Sequence, residues 1–171
     1  MPFYIIVDGH VTKHTFDYLT QATSRRLDDT LIPGKTPQVK KTLPRDSNTF
    51  AIEIMTKDIQ SLEQNTPTDE ALKIFRSKNL HHLPITKKGI LKGLVSDRDV
   101  LWLEKFDVTR NASLSKYMSK TVLCCGEETP ISDLAKVMVN EHISALPVID
   151  KDAKLVGIVT HHDILRWIYD F

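Results

Sequence analysis

Two short motifs combine a hydroxyl with a carboxylate three residues later: Ser96 is followed by Asp99, and Thr160 by Asp163. A carboxylate can accept hydrogen bonds from both hydroxyls of a vicinal diol, and each such charged bond contributes about 1.5–3 kcal/mol. A hydroxyl just before a helix lies where free backbone N–H groups and the helix dipole favour a phosphate. The same spacing also describes an N-terminal capping box, in which both groups serve only the helix.

The two motifs belong to a longer internal repeat. Residues 55–86 match residues 118–149 at a constant separation of 63 positions, and seven of the 32 positions are identical. After one extra residue in the following turn, residues 93–101 match residues 157–165. The apolar pattern of each copy predicts a strand, an amphipathic helix, a hairpin of two strands and a second helix. Because such a β-α-β-β-α unit is too small to bury its apolar faces alone, the two units should pack against each other.

Each copy has a Thr-Pro pair before its first helix, Thr66-Pro67 in one and Thr129-Pro130 in the other. Threonine is a favoured N-cap, and proline suits the first helical position because its missing N–H would have no intrahelical partner there. The pairs therefore predict a helix that begins at each proline.

The first 50 residues lie outside the repeat. A short apolar run at residues 3–7 is followed by Asp8-Gly9 and then His10-Val11, and because Asp-Gly suits a type I′ turn this stretch predicts a hairpin. Residues 24–45 hold six basic and two acidic side chains and three prolines, a composition typical of a solvated tether. Contact with a phosphate or an acidic partner is the alternative for this basic stretch. We accordingly divide the chain into an extension (1–50), a first repeat (51–112) and a second repeat (113–171).

Composition excludes several classes of protein. The 171 residues are 41% hydrophobic and 26% charged, with a formal net charge of +1, which excludes a disordered tail and argues against a dedicated nucleic-acid binder. The two cysteines, Cys124 and Cys125, are adjacent, a spacing that suits neither a disulfide framework nor a zinc site and favours a reducing compartment. Neither a signal peptide nor an apolar stretch near the ~18 residues of a membrane span is recognisable. We therefore expect a cytoplasmic protein with no membrane association.

The repeated string resembles the CBS domain: a Thr-Pro before a helix, a Leu-Pro-Val/Ile strand, and then Gly-h-h-Ser/Thr-x-x-Asp-h, where h is apolar. Two copies in tandem resemble a CBS pair, or Bateman module, over about residues 55–168. The resemblance implies an α+β fold in which two β-α-β-β-α domains pack about a pseudo-twofold axis. It also implies two clefts for adenosyl ligands such as AMP, ADP, ATP or S-adenosylmethionine, and further association into a homodimer.

The resemblance assigns roles to particular residues. It makes Asp99 and Asp163 the ribose binders and gives Ser96 and Thr160 to the phosphate side. Its adenine slot lies at the start of each domain and two residues before the strand proline, which here means Lys57, Asp58, Ile59, Lys120, Thr121, Val122, His82 and Ala145. For Ile59 and Val122 a plain position in a core strand is the favoured alternative.

The two motifs differ at one position beside the carboxylate. Arg98 in the first occupies the position of His162 in the second. Arginine is a permanent cation that can pair with a phosphate, whereas histidine does so well only when protonated. The two sites should therefore differ in phosphate preference.

Seven histidines, including the adjacent pairs His81-His82 and His161-His162, raise the question of a metal site. Adjacent side chains diverge on a strand or a helix, and no cysteine or carboxylate cluster completes a ligand set. We expect no metal; a pH effect through His162 or His82 and histidines without a role are the alternatives.

The last helix carries more apolar surface than one buried stripe needs, in Ile164, Leu165, Trp167, Ile168 and Phe171. Trp102 and Leu103 lie near the matching place in the first repeat. This pattern favours self-association, with Trp167 in the chain's own core as the alternative.

Two functions remain open. The first is a non-enzymatic regulatory module that binds an adenine nucleotide or another adenosyl ligand and signals to a separate protein by conformational change. A cyclic dinucleotide or S-adenosylmethionine satisfies the same diol argument as AMP. The second is a ligand-free dimeric scaffold that acts through residues 1–50. An enzyme is the weakest reading, because no nucleophile elbow, P-loop or metal-ligand spacing is present.

Overall fold

The computed structural model describes residues 3–20, 49–78, 80–100 and 112–169. Within them the chain forms two β-sheets with helices packed on them, so the predicted α+β class is confirmed. The basic stretch 24–45, the pair Trp102 and Leu103, and Phe171 lie outside the described residues.

The chain begins with the predicted hairpin, formed by β1 (Phe3–Val7) and β2 (His10–His14). Asp8 and Gly9 have φ values of +49° and +84°, as a type I′ turn requires. Two short helices follow, α1 (Asp17–Thr20) and α2 (Ala51–Ile54).

The first repeat supplies a sheet of three strands. β3 (Leu62–Glu63) lies parallel to β4 (His82–Lys87), and helix α3 (Thr68–Lys78) makes the crossover between them. β5 (Ile90–Ser96) completes an antiparallel hairpin with β4. The described part of the next helix, α4, covers residues 97–100.

The second repeat has the same order of elements. A 3₁₀ turn at Leu114–Lys116 precedes β6 (Thr121–Gly126), α5 (Ile131–Asn140), β7 (Ala145–Ile149), β8 (Leu155–Thr160) and α6 (His161–Tyr169). β6 is parallel to β7, and β7 is antiparallel to β8. Both copies therefore have the predicted β-α-β-β-α order.

The N-terminal hairpin is part of the second repeat's sheet. β1 pairs antiparallel with β6 from Phe3 opposite Cys125 to Val7 opposite Thr121, which gives the strand order β2-β1-β6-β7-β8. Phe3 is 1% exposed and its ring meets Phe16 edge to face at 5.4 Å. The hairpin covers an edge of β6 that would otherwise present unpaired backbone groups.

The first repeat is preceded by a segment that packs on the second. In this first lead-in (residues 49–56), the N–H of Ala51 donates to the carbonyl of Thr129 at 2.8 Å. The carbonyl of Thr49 accepts from the N–H of Ile131 at 3.1 Å. The first lead-in therefore begins where helix α5 of the other repeat begins.

The second lead-in (residues 112–119) makes the same contacts on the first repeat. Leu114 donates to the carbonyl of Thr66 at 2.9 Å, and the carbonyl of Ala112 accepts from Thr68 at 2.9 Å. Each of these four residues lies 63 positions from the residue that makes the equivalent bond in the other half. The two repeats thus exchange lead-ins, as a pseudo-twofold relation between them requires.

The exchange continues along each lead-in. Thr56 forms an antiparallel bridge with Ile158 of β8, and Ser119 forms one with Leu94 of β5. At the neighbouring glycines the methionines of the lead-ins pack directly on the strand. A Cβ on Gly93 would lie 2.6 Å from the Sδ atom of Met118, so a side chain there would displace the lead-in.

The helix starts differ from the prediction by one residue. Helix α5 begins at Ile131, and its N-cap is Pro130, not Thr129. The reason is that Pro130 is held extended, with ψ 143°, by a bridge to Phe50 of the first lead-in. The lead-in also accepts the first helical N–H, so no side-chain cap is needed. Helix α3, which begins at Thr68, shows the same shift.

The adjacent cysteines are both free and both buried in β6. Burial raises the pKa of the Cys124 thiol to about 12 and that of Cys125 further. Both thiols are therefore protonated at neutral pH and serve as small apolar groups. No described helix has the length and apolar character needed to cross a membrane.

Truncating a buried side chain of β1 tests whether the hairpin belongs to the core. Phe3→Ala should lower the free energy of unfolding by about 3–5 kcal/mol, because it leaves a cavity beside Phe16. Val7→Ala in the same strand is the matched control, since Val7 is 47% exposed and should cost under about 1 kcal/mol. Urea unfolding measures both variants, and equal small losses would contradict the assignment.

Candidate functional site

The first hydroxyl–carboxylate motif lies where β5 passes into α4. Oδ2 of Asp99 accepts from the backbone N–H of Ser96 at 2.9 Å and from its hydroxyl at 2.7 Å. The N–H of Asp99 lies 3.3 Å from the same hydroxyl oxygen and donates to it. These three bonds form a capping box, the arrangement weighed above as the alternative to a ligand site.

The second motif has the same geometry where β8 passes into α6. Oδ2 of Asp163 accepts from the N–H and from the hydroxyl of Thr160, both at 2.7 Å. The N–H of Asp163 returns a bond to that hydroxyl at 3.3 Å. The agreement of the two boxes, atom for atom, extends the pseudo-twofold relation from the backbone to these side chains.

Each box uses only one carboxylate oxygen. Oδ1 of Asp99 and Oδ1 of Asp163 accept no hydrogen bond from the residues that the structure describes. Asp99 is exposed and Asp163 is half-buried. In each box one carboxylate oxygen therefore caps the helix, and the described residues supply no donor to the other oxygen.

The two repeats meet beside these boxes, at the starts of β4 and β7. Nε2 of His82 lies 3.3 Å from the hydroxyl of Ser144. The N–H of His161 donates to the carbonyl of Ser144 at 3.1 Å, and the N–H of Asp97 donates to the carbonyl of His81 at 3.1 Å. Both box-bearing helices are thus tied at their first residue to the strand that starts next to them.

Charge is distributed unequally across this junction. In the first repeat, Nδ1 of His81 lies 2.9 Å from Oδ2 of Asp97. The residues at the corresponding positions of the second repeat are Ser144 and His161. Partial burial raises the pKa of Asp97. The hydrogen bonds from His81 and from the N–H of Arg98, together with the nearby imidazoles of His81 and His82, outweigh it, and the net shift of the pKa is downward. The carboxylate of Asp97 therefore stays ionised.

His82 is the titratable group most enclosed by the junction. Burial lowers its pKa, since desolvation disfavours the imidazolium, and the neighbouring rings of His81 and His161 act in the same direction. The carboxylates of Asp97 and Asp99 oppose this shift without cancelling it. His82 is thus neutral at neutral pH.

The remaining predicted residues fall into two groups. Lys57, Asp58, Lys120 and Thr121 are exposed, and Ile59 is half-buried. Thr56 is bridged antiparallel to Ile158 of β8 and Ser119 to Leu94 of β5, so the residues after each bridge run along that strand away from Thr160 or Ser96. The start of each repeat is therefore joined to the strand that carries the other repeat's box.

Val122 and Ala145 are core residues. Val122 is 3% exposed and packs with Ile6, Leu91 and Ile149. Ala145 is 6% exposed at the start of β7, opposite Thr160 of β8. The N-terminal hairpin also bonds to the backbone at the start of the second repeat, where the N–H of Asp8 donates to the carbonyl of Lys120 at 3.2 Å. The two predicted adenine slots are therefore not equivalent.

Arg98 and His162 are exposed in the first turns of α4 and α6. They flank the boxes at matched positions, as the repeat predicts. Among the described residues, no group of three His, Cys, Asp or Glu side chains is placed to hold a metal ion.

Sequence reasoning missed three residues of the junction: Asp97, Ser144 and His161. Asp97 and His161 are the first residues after the two strands, and Ser144 matches His81 in the repeat. The signal was the repeat itself, since these positions stand side by side once the two copies are aligned. Similarity between the copies does not reveal these positions, because the residues there differ.

Two repeats that exchange lead-ins and carry matched boxes define a tandem module with two pseudo-equivalent polar sites at the junction of its halves. Residues 51–104 and 114–170 each match the CBS domain family. The chain belongs to this family and carries two copies of the domain, so the resemblance stated from the sequence is confirmed.

Relatives of two kinds share this module. The chain is 29% identical over 185 residues to the chloroplastic CBS domain-containing protein CBSX1 of Arabidopsis thaliana, covering 90% of this chain and 78% of that protein. It is 36% identical over 126 residues to a homoserine O-acetyltransferase of Methanohalobium evestigatum, covering 73% of this chain. This chain spans only 25% of the length of that enzyme and of a second homoserine O-acetyltransferase, from Methanococcoides burtonii.

Solved structures agree with the fold. The CBS domain pair of protein MJ0100, in complex with 5′-methylthioadenosine and S-adenosyl-L-methionine, superposes with a TM-score of 0.65 at 29% identity, over 71% of this chain and 97% of that one. CBSX2 in complex with AMP gives a TM-score of 0.65 at 26% identity, over 71% and 96% of the two chains.

The environment of His82 makes stability depend on pH. Its pKa is lower in the folded chain than the ordinary value of 6.5, so acid favours the unfolded state, which takes up the proton first. The free energy of unfolding should therefore fall as the pH drops through about 6.5. His82→Gln should remove this component of the fall in urea titrations from pH 8 to 5, whereas His10→Gln, at an exposed position, should keep it. The prediction fails if both variants follow the wild-type curve.

Proposed function

We propose that the chain is a regulatory module that binds an adenosyl ligand in two sites at the junction of its repeats. The observation that carries this proposal is the pair of boxes with identical hydrogen bonds, each at the end of a strand that bridges to the other repeat's lead-in. One capping box is an ordinary helix start. Two capping boxes at pseudo-equivalent places beside the same junction form a symmetric pair of binding sites.

The ribose of such a ligand is recognised by the free carboxylate oxygens. Oδ1 of Asp99 or Asp163 accepts a hydrogen bond from a ribose hydroxyl, while Oδ2 continues to cap the helix. A bond to a charged acceptor stabilises the complex by about 1.5–3 kcal/mol. Because both oxygens belong to one rigid carboxylate, the ligand also fixes the helix that carries it.

The phosphate end of a nucleotide lies at the start of α4 or α6, beside Ser96 or Thr160. Arg98 is near it at one site and His162 at the other. Arg98 supplies a permanent charge for a phosphate, whereas His162 does so well only when protonated. We therefore assign the more anionic ligand to the Arg98 site.

The ligands of related structures support the adenosyl class. The MJ0100 domain pair holds 5′-methylthioadenosine and S-adenosyl-L-methionine, and CBSX2 holds AMP. These three compounds share adenosine and differ in what the 5′ carbon bears. The proposed surroundings of the adenine are the starts of the two repeats and the residues before the strand prolines: Lys57, Asp58, Ile59, Lys120, Thr121, Val122, His82 and Ala145.

The proposed output is a change in how the helices of the junction pack. Leu165 is 58% exposed on α6, Ile168 is 40% and Tyr169 is 87%. We propose that this face mediates a homodimer, and that the module acts without catalysis on a separate cytoplasmic protein. A ligand that fixes α6 through Asp163 would then alter the dimer directly.

A ligand-free dimeric scaffold is the second candidate function. The boxes favour it in one respect, since each is complete as a cap without a ligand. Deletion of residues 1–50 would remove β1 from the core together with the basic stretch. Deletion of the basic stretch alone, residues 24–45, is the better test of partner capture through the extension.

Thermal denaturation with candidate ligands tests the proposed function. AMP, ADP, ATP, S-adenosylmethionine, 5′-methylthioadenosine and cyclic di-AMP are each added to the purified chain, because a ligand of the native state raises Tm. At least one adenosyl compound should raise Tm, and Asp99→Ala or Asp163→Ala should weaken its binding about 10- to 100-fold.

The matched control is Asp69→Ala. Asp69 also lies in the first turn of a helix, α3, so the variant loses the same charge near a helix N-terminus but no box. It should bind the ligand as the wild type does. Unchanged affinity in the double variant Asp99→Ala/Asp163→Ala would rule out the proposed sites, and no Tm shift with any compound would favour the scaffold.

A further inference from the structure

A pocket with a volume of about 380 Å³ lies between the N-terminal hairpin and the first repeat. Its walls come from the turn of the hairpin, strand β5, the end of β3 and the second lead-in. The polar side chains that line it are Asp8, Gln64, Lys92, Ser115, Lys116 and Lys120. Its size falls within the range of small-molecule sites.

The charge of the pocket is strongly positive. Lys92, Lys116 and Lys120 supply three ammonium groups, and Asp8 is the only acidic side chain among the lining residues. The carboxylate of Asp8 lies 3.8 Å from Nζ of Lys120, and both side chains are more than half exposed. One ammonium group is thus partly balanced, and two face the pocket without a counter-charge in its lining.

The internal repeat shows that this charge is particular to one half of the molecule. The position of Lys92 is occupied by Val156 in the other copy, and that of Lys116 by Glu53. Gln64 corresponds to Glu127. Of the three lysines only Lys120 has a basic counterpart, Lys57, so the matching surface of the other half has one lysine beside two glutamates.

The hairpin turn is fitted to this pocket. Gly9 has a φ of +84°, and a Cβ there would collide with Nζ of Lys92, which packs directly against the turn. The N–H of Asp8 is anchored on the carbonyl of Lys120 at 3.2 Å. The hairpin turn therefore contacts both the side chain of Lys92 and the backbone of Lys120 at one wall of the pocket.

The pocket is separate from the proposed adenosyl sites. Lys92 lies four residues before Ser96 in β5, a distance of about 13 Å along the strand. The N–H of Gln64 donates to the carbonyl of Thr86, whereas Ser96 pairs with His82 at the opposite end of β4. Of the lining residues, only Lys120 is shared with the predicted adenine slots.

We propose that this pocket binds a small compound that carries two or more phosphate groups. Lysine ammonium groups bind phosphate as mobile point charges, and three of them around one cavity favour a multiply charged anion over a single carboxylate. The compound replaces Asp8 as the counter-ion of Lys120 and links the hairpin to the first repeat.

Isothermal titration with tripolyphosphate tests this second site in the full chain. The wild type should bind it, more weakly as salt is added, and Lys92→Met/Lys116→Met should bind at least 10-fold more weakly. Lys73→Met/Lys151→Met removes the same net charge from exposed positions elsewhere and should bind as the wild type does. If the first double variant does not fold, Lys116→Met alone, on the exposed 3₁₀ turn, should still show the loss.

Two further arms identify the site and the source of the phosphate. Asp99→Ala/Asp163→Ala should bind tripolyphosphate normally, so a failure of the proposed adenosyl sites would not affect this result. Fructose 1,6-bisphosphate in place of tripolyphosphate shows whether a sugar-borne phosphate pair is accepted as well. The proposal is overturned if the wild type does not bind tripolyphosphate, if both lysine variants bind it equally, or if only the aspartate variant loses it.

Discussion

Each repeat binds the segment that leads into the other repeat, and the relative position of the two repeats and their boxes depends on this exchange. The lead-ins occupy the starts of α5 and α3, bridge to β8 and β5, and place Met55 and Met118 over glycines of those strands. Neither repeat could keep these contacts if it moved away from its partner. The two boxes are therefore held at a fixed mutual position by backbone hydrogen bonds that belong to both halves at once.

The order of elements could be predicted from sequence because each element has a local cause. Apolar spacing marked the helices, Asp8-Gly9 marked the hairpin turn, and the repeat supplied every element twice. The helix starts were off by one residue because Pro130 is held by Phe50, a residue 80 positions away in the chain. That contact depends on the exchange of lead-ins, which no local pattern encodes.

The residues of the candidate site also fall into those with a local sequence signal and those placed by long-range contacts. Ser96, Asp99, Thr160 and Asp163 were found from their spacing, since a capping box is local whether or not a ligand uses it. Asp97, Ser144 and His161 were missed because they act at a junction between repeats. Val122 lies in the core because the hairpin pairs with β6, a long-range contact that the pattern of residues 1–50 did not predict.

The N-terminal extension breaks the symmetry that the repeats create. It adds two strands to one sheet, uses the carbonyl of Lys120, and forms one wall of a basic pocket that has no counterpart in charge. A pseudo-symmetric module with an asymmetric addition can treat its two sites differently while it remains one folding unit.

Differential scanning calorimetry of the full chain tests most directly whether the two repeats unfold as one unit. The exchange of lead-ins predicts one transition, with calorimetric and van't Hoff enthalpies in agreement, that an adenosyl ligand moves as a whole. Two separate transitions, only one of which responds to the ligand, would contradict it.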